Sequence, residues 1–177
     1  MKFIKIILVF ITFYSYGNPL INPPADQIHW MSFEKAIELN KTNPKPILID
    51  VYTEWCGWCH KMDANTYSEK IIVNYINTYF YAVKLDAEQK ESIFYNDHTF
   101  KFIPNGSSGT HELASALLNG NLSYPSTVFL NKNQELIQVV PGYLKTPIME
   151  KLLHYMGEEI YLTKDWEEFD KEFNSKT

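Results

Sequence analysis

Hydrophobic positions along this chain change period several times, and each change marks an element. Ser32 precedes Phe33 to Leu39, where Phe33, Ala36 and Ile37 recur at helical spacing. The pattern predicts a Ser-capped helix that Pro44 and Pro46 end. Ile47-Leu48-Ile49-Asp50-Val51-Tyr52 is a short, nearly continuous apolar run, as expected of a strand buried on both faces. Ser68 is placed to cap a further helix in which Ile72, Ile76 and Phe80 share one side, and Tyr81 to Leu85 reads as a second strand. Strand, helix and strand in that order predict a right-handed parallel crossover. Ser126 to Leu130 and Glu135 to Val140 give two more strands, joined by the polar turn Asn131-Lys132-Asn133-Gln134. Thr146 as cap, with Pro147 in the first helical position, opens a helix that runs to about Met156 and ends at Gly157.

Three stretches lie outside this regular pattern. Residues 88–122 form a long insert with an Asn105-Gly106-Ser107-Ser108-Gly109 turn and an expected helix from Thr110 to Asn119, closed by Gly120. Residues 158–177 add a helical extension. There Asp165 and Glu168 make a capping-box-like pair, and the stripe of Trp166, Phe169 and Phe173 is expected to pack back on the domain. At the other end, Lys2 and Lys5 precede the apolar run Ile6 to Ile11, and Ser15-Tyr16-Gly17 puts small residues before Asn18. Basic, apolar and small-residue regions in that order read as a cleaved signal peptide over 1–17, and so as a secreted or periplasmic protein. The apolar run is well short of the roughly 20 residues of a spanning helix, so no stable membrane insertion is expected once it is removed. Residues 18–26, with Pro19, Pro23 and Pro24, read as a linker, which leaves 27–157 as the main domain.

A chain of 177 residues, 45% hydrophobic and 21% charged, has room for one compact domain and is not compositionally disordered. Without Lys2 and Lys5, 14 basic residues face 21 acidic ones, a net charge of −7. Arginine is absent and no lysine cluster occurs, so a nucleic-acid partner is not expected. The two cysteines stand three positions apart. A bridge between them closes almost no loop and adds little stability, so its purpose has to be chemical.

The chemistry lies in Trp55-Cys56-Gly57-Trp58-Cys59. At the start of a helix, the first cysteine of such a pair meets unpaired N–H groups and the helix dipole, which favour its thiolate. The second is held back, aimed at the first and shielded, which is what attack and resolution require. Cys56-Gly57-Trp58-Cys59-His60 is also the c-type haem attachment pattern, although strands on either side do not suit the mostly helical shell of a haem protein. Zinc would lack a ligand, because Cys59 and His60 are adjacent and do not converge easily. Trp55 reads as a floor beside the cysteines and Trp58 as a partly exposed contact surface.

Around the cysteines the sequence resembles the thioredoxin superfamily, over roughly residues 30 to 157. Asp50 stands six positions before Cys56, where the family has a buried aspartate, and Trp55 matches the tryptophan before its motif. Lys84 in Val83-Lys84-Leu85-Asp86 matches the lysine beside that aspartate. Pro125 in Tyr124-Pro125-Ser126-Thr127 matches the cis-proline loop facing the cysteines, and Gly142 the glycine after the last strand. The motif region is most similar to secreted bacterial thioredoxin-like proteins and to the C-terminal domain of the periplasmic disulfide-reducing electron conduit. Trp58 departs from the proline of true thioredoxins, and neither the insert nor the extension has a counterpart in them.

The resemblance implies an α/β thioredoxin fold, a central mixed sheet of about four strands flanked by helices, with the insert entering before the cis-proline strand. It implies thiol–disulfide exchange, in the reducing rather than the oxidising direction, with protein disulfides or dithiols of exported clients and with an unidentified thiol electron donor or acceptor. Cys56 would be the nucleophile, Cys59 the resolving thiol, Asp50 its proton acceptor and Lys84 the neighbour of Asp50. Trp55, Trp58, Tyr124 and Pro125 would contact substrate, and no cofactor or metal is required. The competing expectation is a non-catalytic binding module that keeps the scaffold and leaves the cysteines vestigial.

Overall fold

The computed structural model describes residues 26–173; the expected signal peptide, nearly all of the linker and the last four residues lie outside the described residues. Five strands make the central sheet, one more than expected, in the order β1 (Trp30–Met31), β3 (Tyr81–Asp86), β2 (Ile47–Tyr52), β8 (Ser126–Leu130) and β9 (Leu136–Pro141). The addition is β1, two residues that pair parallel to β3 and are too short to show a period. β2 and β3 run parallel, while β8 pairs antiparallel with β2 and with β9. The parallel pair is joined through α2 (Gly57–Asn65) and α3 (Lys70–Tyr79).

Alternation along the strands divides the core. Leu48, Ala82 and Phe129 face one layer with Met62 of α2, Ile72, Val73 and Ile76 of α3, and Met149 and Leu153 of α5 (Thr146–Gly157). Ile47, Ile49, Val51, Val83, Leu85 and Val128 face the other, which α1 (Phe33–Thr42) covers with Phe33, Ala36 and Ile37. Ser32 caps α1 by accepting from the Lys35 N–H at 3.2 Å. Two other cap assignments need correction. Ser68 instead donates to the Ala64 carbonyl at 2.7 Å and finishes the preceding turn, so Glu69 occupies the cap of α3 without a side-chain bond. Thr146 is already helical, Lys145 is the cap of α5, and Gly157 is its last residue.

The insert is more ordered than its sequence suggests. It holds two hairpins, β4 (Ile93–Tyr95) with β5 (His98–Phe100) and β6 (Phe102–Asn105) with β7 (Ser108–His111), followed by α4 (Glu112–Leu117). The expected helix start at Thr110 is overridden because Thr110 and His111 pair with Ile103 and Phe102 across the second hairpin. Asn96 and Asp97 both have positive φ, the two-residue turn that matches strand twist. At Gly109 a Cβ would meet the Ile103 carbonyl oxygen at 2.5 Å and the Phe102 ring at 2.2 Å, so only glycine lets that ring lie across the hairpin. The ammonium of Lys90 sits 2.9 Å from the same ring's centre.

At the far end α6 (Trp166–Glu172) is capped by Asp165, which accepts from the Glu168 N–H at 2.8 Å. Phe169 is buried against Tyr155 of α5, and Trp166 and Phe173 pack beside it, so the stripe does fold back.

One buried side chain ties the insert together. His111 is fully buried; its Nδ1 accepts from the Leu113 N–H at 3.3 Å, and its Nε2 faces the Glu91 carbonyl at 3.1 Å. Those partners require the neutral ring with its proton on Nε2. His111→Ala should remove the cap of α4 and leave the Glu91 carbonyl with the Gln89 side-chain amide alone, at a cost of about 1–2 kcal/mol. Urea unfolding should register that loss, and amide exchange should speed up over 112–117 before it does in the central sheet.

Candidate functional site

The two sulfurs are bonded to each other, with Cα atoms 5.3 Å apart, in the first turn of α2. Cys56 is the N-cap of that helix: its Sγ accepts from the Cys59 N–H at 3.1 Å, and its carbonyl accepts from Cys59 and His60. A sulfur in that position lies where the helix end offers unpaired N–H groups, so negative charge is favoured on Cys56. Cys56 is 4% exposed and Cys59 1%, so Cys56 is the outer of the two. His60 Nε2 lies 2.9 Å from the Glu54 carbonyl and braces the turn before the motif.

Below the helix lies a charged cluster that β-sheet register assembles. Asp50 shares the face of Leu48, the one that α2 covers; its neighbours across the sheet are Lys84 on β3 and Thr127 on β8. Lys84 Nζ donates to Asp50 Oδ2 at 2.5 Å and also to Asp63 Oδ1 of α2. The rings of Trp30, Tyr52 and Tyr67 stand 5.0, 5.0 and 5.5 Å from that ammonium, so it is enclosed by aromatic faces. Asp50 is 1% exposed, and its Oδ1 has no hydrogen-bond partner among the described residues. Burial pushes its carboxyl up to about 6, against the opposing pull of Lys84. Burial also raises the phenol of Tyr67 well above its ordinary range, with Asp50 adding to the effect.

The surface around the disulfide is aromatic. Tyr124 precedes Pro125 through a cis peptide bond, and Gly142 donates its N–H to the Pro125 carbonyl at 2.7 Å. Trp55 is 67% exposed, edge-on to Tyr124 with centroids 6.0 Å apart, so it is a rim and not the expected floor. It sits in the turn between β2 and α2, where no element covers it. Trp58, 57% exposed, leans on Tyr143 at 5.5 Å, with the Lys61 ammonium 4.6 Å from the Trp58 ring centre. Asp63, Tyr67 and Trp30 did not stand out in the sequence. Asp63 carried one usable signal, since it lies four residues after Cys59 and so on the same side of the helix.

The family model Thioredox_DsbH, described as a protein of unknown function, DUF255, matches residues 18–173. The uncharacterized protein B0495.5 of Caenorhabditis elegans is 31% identical over 72 residues, which make up 41% of this chain and 10% of that protein. This chain thus spans about a tenth of that relative's length. A thioredoxin-fold protein from Helicobacter pylori is 20% identical, with a TM-score of 0.55 over 73% of this chain and 80% of its own. A thioredoxin from Thermus thermophilus is 17% identical, with a TM-score of 0.54 over 72% of this chain and 85% of its own. At these identities the likeness to the two solved structures is one of fold.

The buried Asp50 makes stability depend on pH. Its folded value, about 6, lies above that of an unfolded aspartate, so between those values the folded chain holds a proton that the unfolded chain has released. Stability from this residue is therefore lost as pH rises from about 4 through about 6, by about 3 kcal/mol at most. Asp50→Asn removes the buried charge while Lys84 keeps Asp63. In urea titrations of the oxidised protein, the variant should be more stable by about 1–3 kcal/mol above pH 6, and the gain should vanish near pH 4. A pH-independent difference would show that Asp50 is charged throughout.

Proposed function

We propose that this chain, which belongs to the Thioredox_DsbH family, is a thiol–disulfide oxidoreductase that works through Cys56 and Cys59. The observation that carries this reading is the seat of Cys56 at the cap of α2, where its sulfur receives the Cys59 N–H. In the reducing direction the Cys56 thiolate attacks one sulfur of a client disulfide, and the other client sulfur leaves as a thiolate that takes a proton from water. Cys59 then gives its proton to Asp50 and attacks the Cys56 sulfur. The second client thiolate departs, and the Cys56–Cys59 bond forms. Two electrons have passed to the client, and a thiol donor returns them to the enzyme.

Asp50 suits the proton step because a carboxyl near 6 can change state close to neutral pH. Asp63 gives this step a partner. When Asp50 is protonated, Lys84 keeps a carboxylate, so its half-buried ammonium is not left unpaired. Trp55, Trp58, Tyr124 and the Pro125 loop form the surface on which an extended client segment would lie. The order of basic, apolar and small residues in 1–17 supports work outside the cytoplasm, on exported clients. Among the described residues no helix is long and apolar enough to cross a membrane.

Insulin reduction should be abolished by Cys56→Ser, whereas Cys59→Ser should trap mixed disulfides that mass spectrometry maps to Cys56. Asp50→Asn should slow resolution in rapid-quench kinetics by about 10²-fold and flatten its pH profile, with little effect on the first attack. Direction is read from the reduction potential of the pair. A value near about −270 mV, as in thioredoxin, fits a reductase, and one near about −120 mV, as in DsbA, reverses the assignment.

A further inference from the structure

The aromatic rim of the disulfide does not stop at Tyr124. The Tyr124 hydroxyl interacts with the side chain of Thr110 on β7, so the row Trp55, Tyr124, Thr110 runs from the motif into the insert. Thr110 is also a wall of an open cleft of about 580 Å³. Phe100, Ile103, Asn105, Glu112 and Ala116 line it with Thr110, so the hairpins form one side and α4 the other. Ile103, in the wall of the cleft, stays 51% exposed. Mixed apolar and amide-bearing walls suit a polypeptide, which presents both side chains and backbone groups.

Charge along the same row is one-sided. Glu54, Asp86 and Glu88 act on one another and on the phenols of Tyr52 and Tyr124, and Glu112 stands inside the groove. The ammonium of Lys90 is engaged over the Phe102 ring, and the His98 ring lies 3.8 Å from the Glu112 carboxylate. A basic side chain is the complement of that path.

We propose that the groove between α4 and the insert hairpins is an extension of the redox site. It holds the stretch of client polypeptide beyond the disulfide under attack and favours a basic residue there. The proposal rests on the exchange function above and adds its substrate class: extended protein segments, as distinct from small disulfides. The insert then contributes to client recognition and leaves the sulfur chemistry to the central domain.

The test compares glutathione disulfide with synthetic peptides in which a disulfide carries about eight further residues on one side or the other, a reach of roughly 26 Å when extended. For the wild-type protein, one of the two extensions should raise kcat/KM about tenfold over the same disulfide without it, and more with lysine than with glutamate in the extension. Ala116→Trp, which fills the cleft from an exposed helical position, and Ile103→Glu should each bring the ratio of extended to short substrate back toward one. Leu162→Glu, also exposed but on the far extension, should keep the wild-type ratio. Equal rates for short and extended peptides, or an Ala116→Trp variant with the full ratio, overturns the groove while exchange itself stands. A wild-type protein that exchanges with neither glutathione disulfide nor any peptide overturns the exchange function, and the groove with it.

Discussion

A carboxylate in the middle strand of an apolar sheet is an expensive object, and the arrangement of this domain follows from how Asp50 is accommodated. Strand register supplies Lys84 on one side and Thr127 on the other. The ammonium that answers Asp50 then needs its own surroundings, and Trp30, Tyr52, Tyr67 and Asp63 provide them from four separate elements or turns. Strand β1 contributes little pairing, but it brings Trp30 against that ammonium. Through Asp63 the C-terminal half of α2 is tied to the same ammonium.

Much of the fold was legible because its burial is extreme. β2 is a nearly continuous apolar run, β8 is buried throughout, and the Ser32 cap and the Asp165 and Glu168 pair are local chemistry. What escaped was either too short or decided at a distance. β1 has two residues. The insert strands have three or four each and largely exposed side chains, so no alternation declares them; only the turn at Asn105 to Gly109 was marked, and it closes the second hairpin. Ser68 and Thr146 are good capping types, but other partners claim their hydroxyls: the Ala64 carbonyl takes the first and the Asn65 carbonyl the second.

The site divides in the same way. Cys56, Cys59, Asp50, Lys84 and Pro125 stand out through motif and spacing, whereas Asp63, Tyr67 and Trp30 matter only once helices are laid on the sheet. Trp55 shows the limit of residue type as a guide. A tryptophan beside a reactive pair suggests a packed floor, yet the turn that holds it leaves it two-thirds exposed.

A last consequence concerns how the chain itself matures. Its two cysteines are joined within a single helical turn, and the sequence holds no third. With two thiols there is one intramolecular pairing, so an oxidising compartment has no isomers of this protein to sort. The ring that bond closes is also so small that breaking it releases almost no chain. No scrambled form within this sequence therefore competes with the native one.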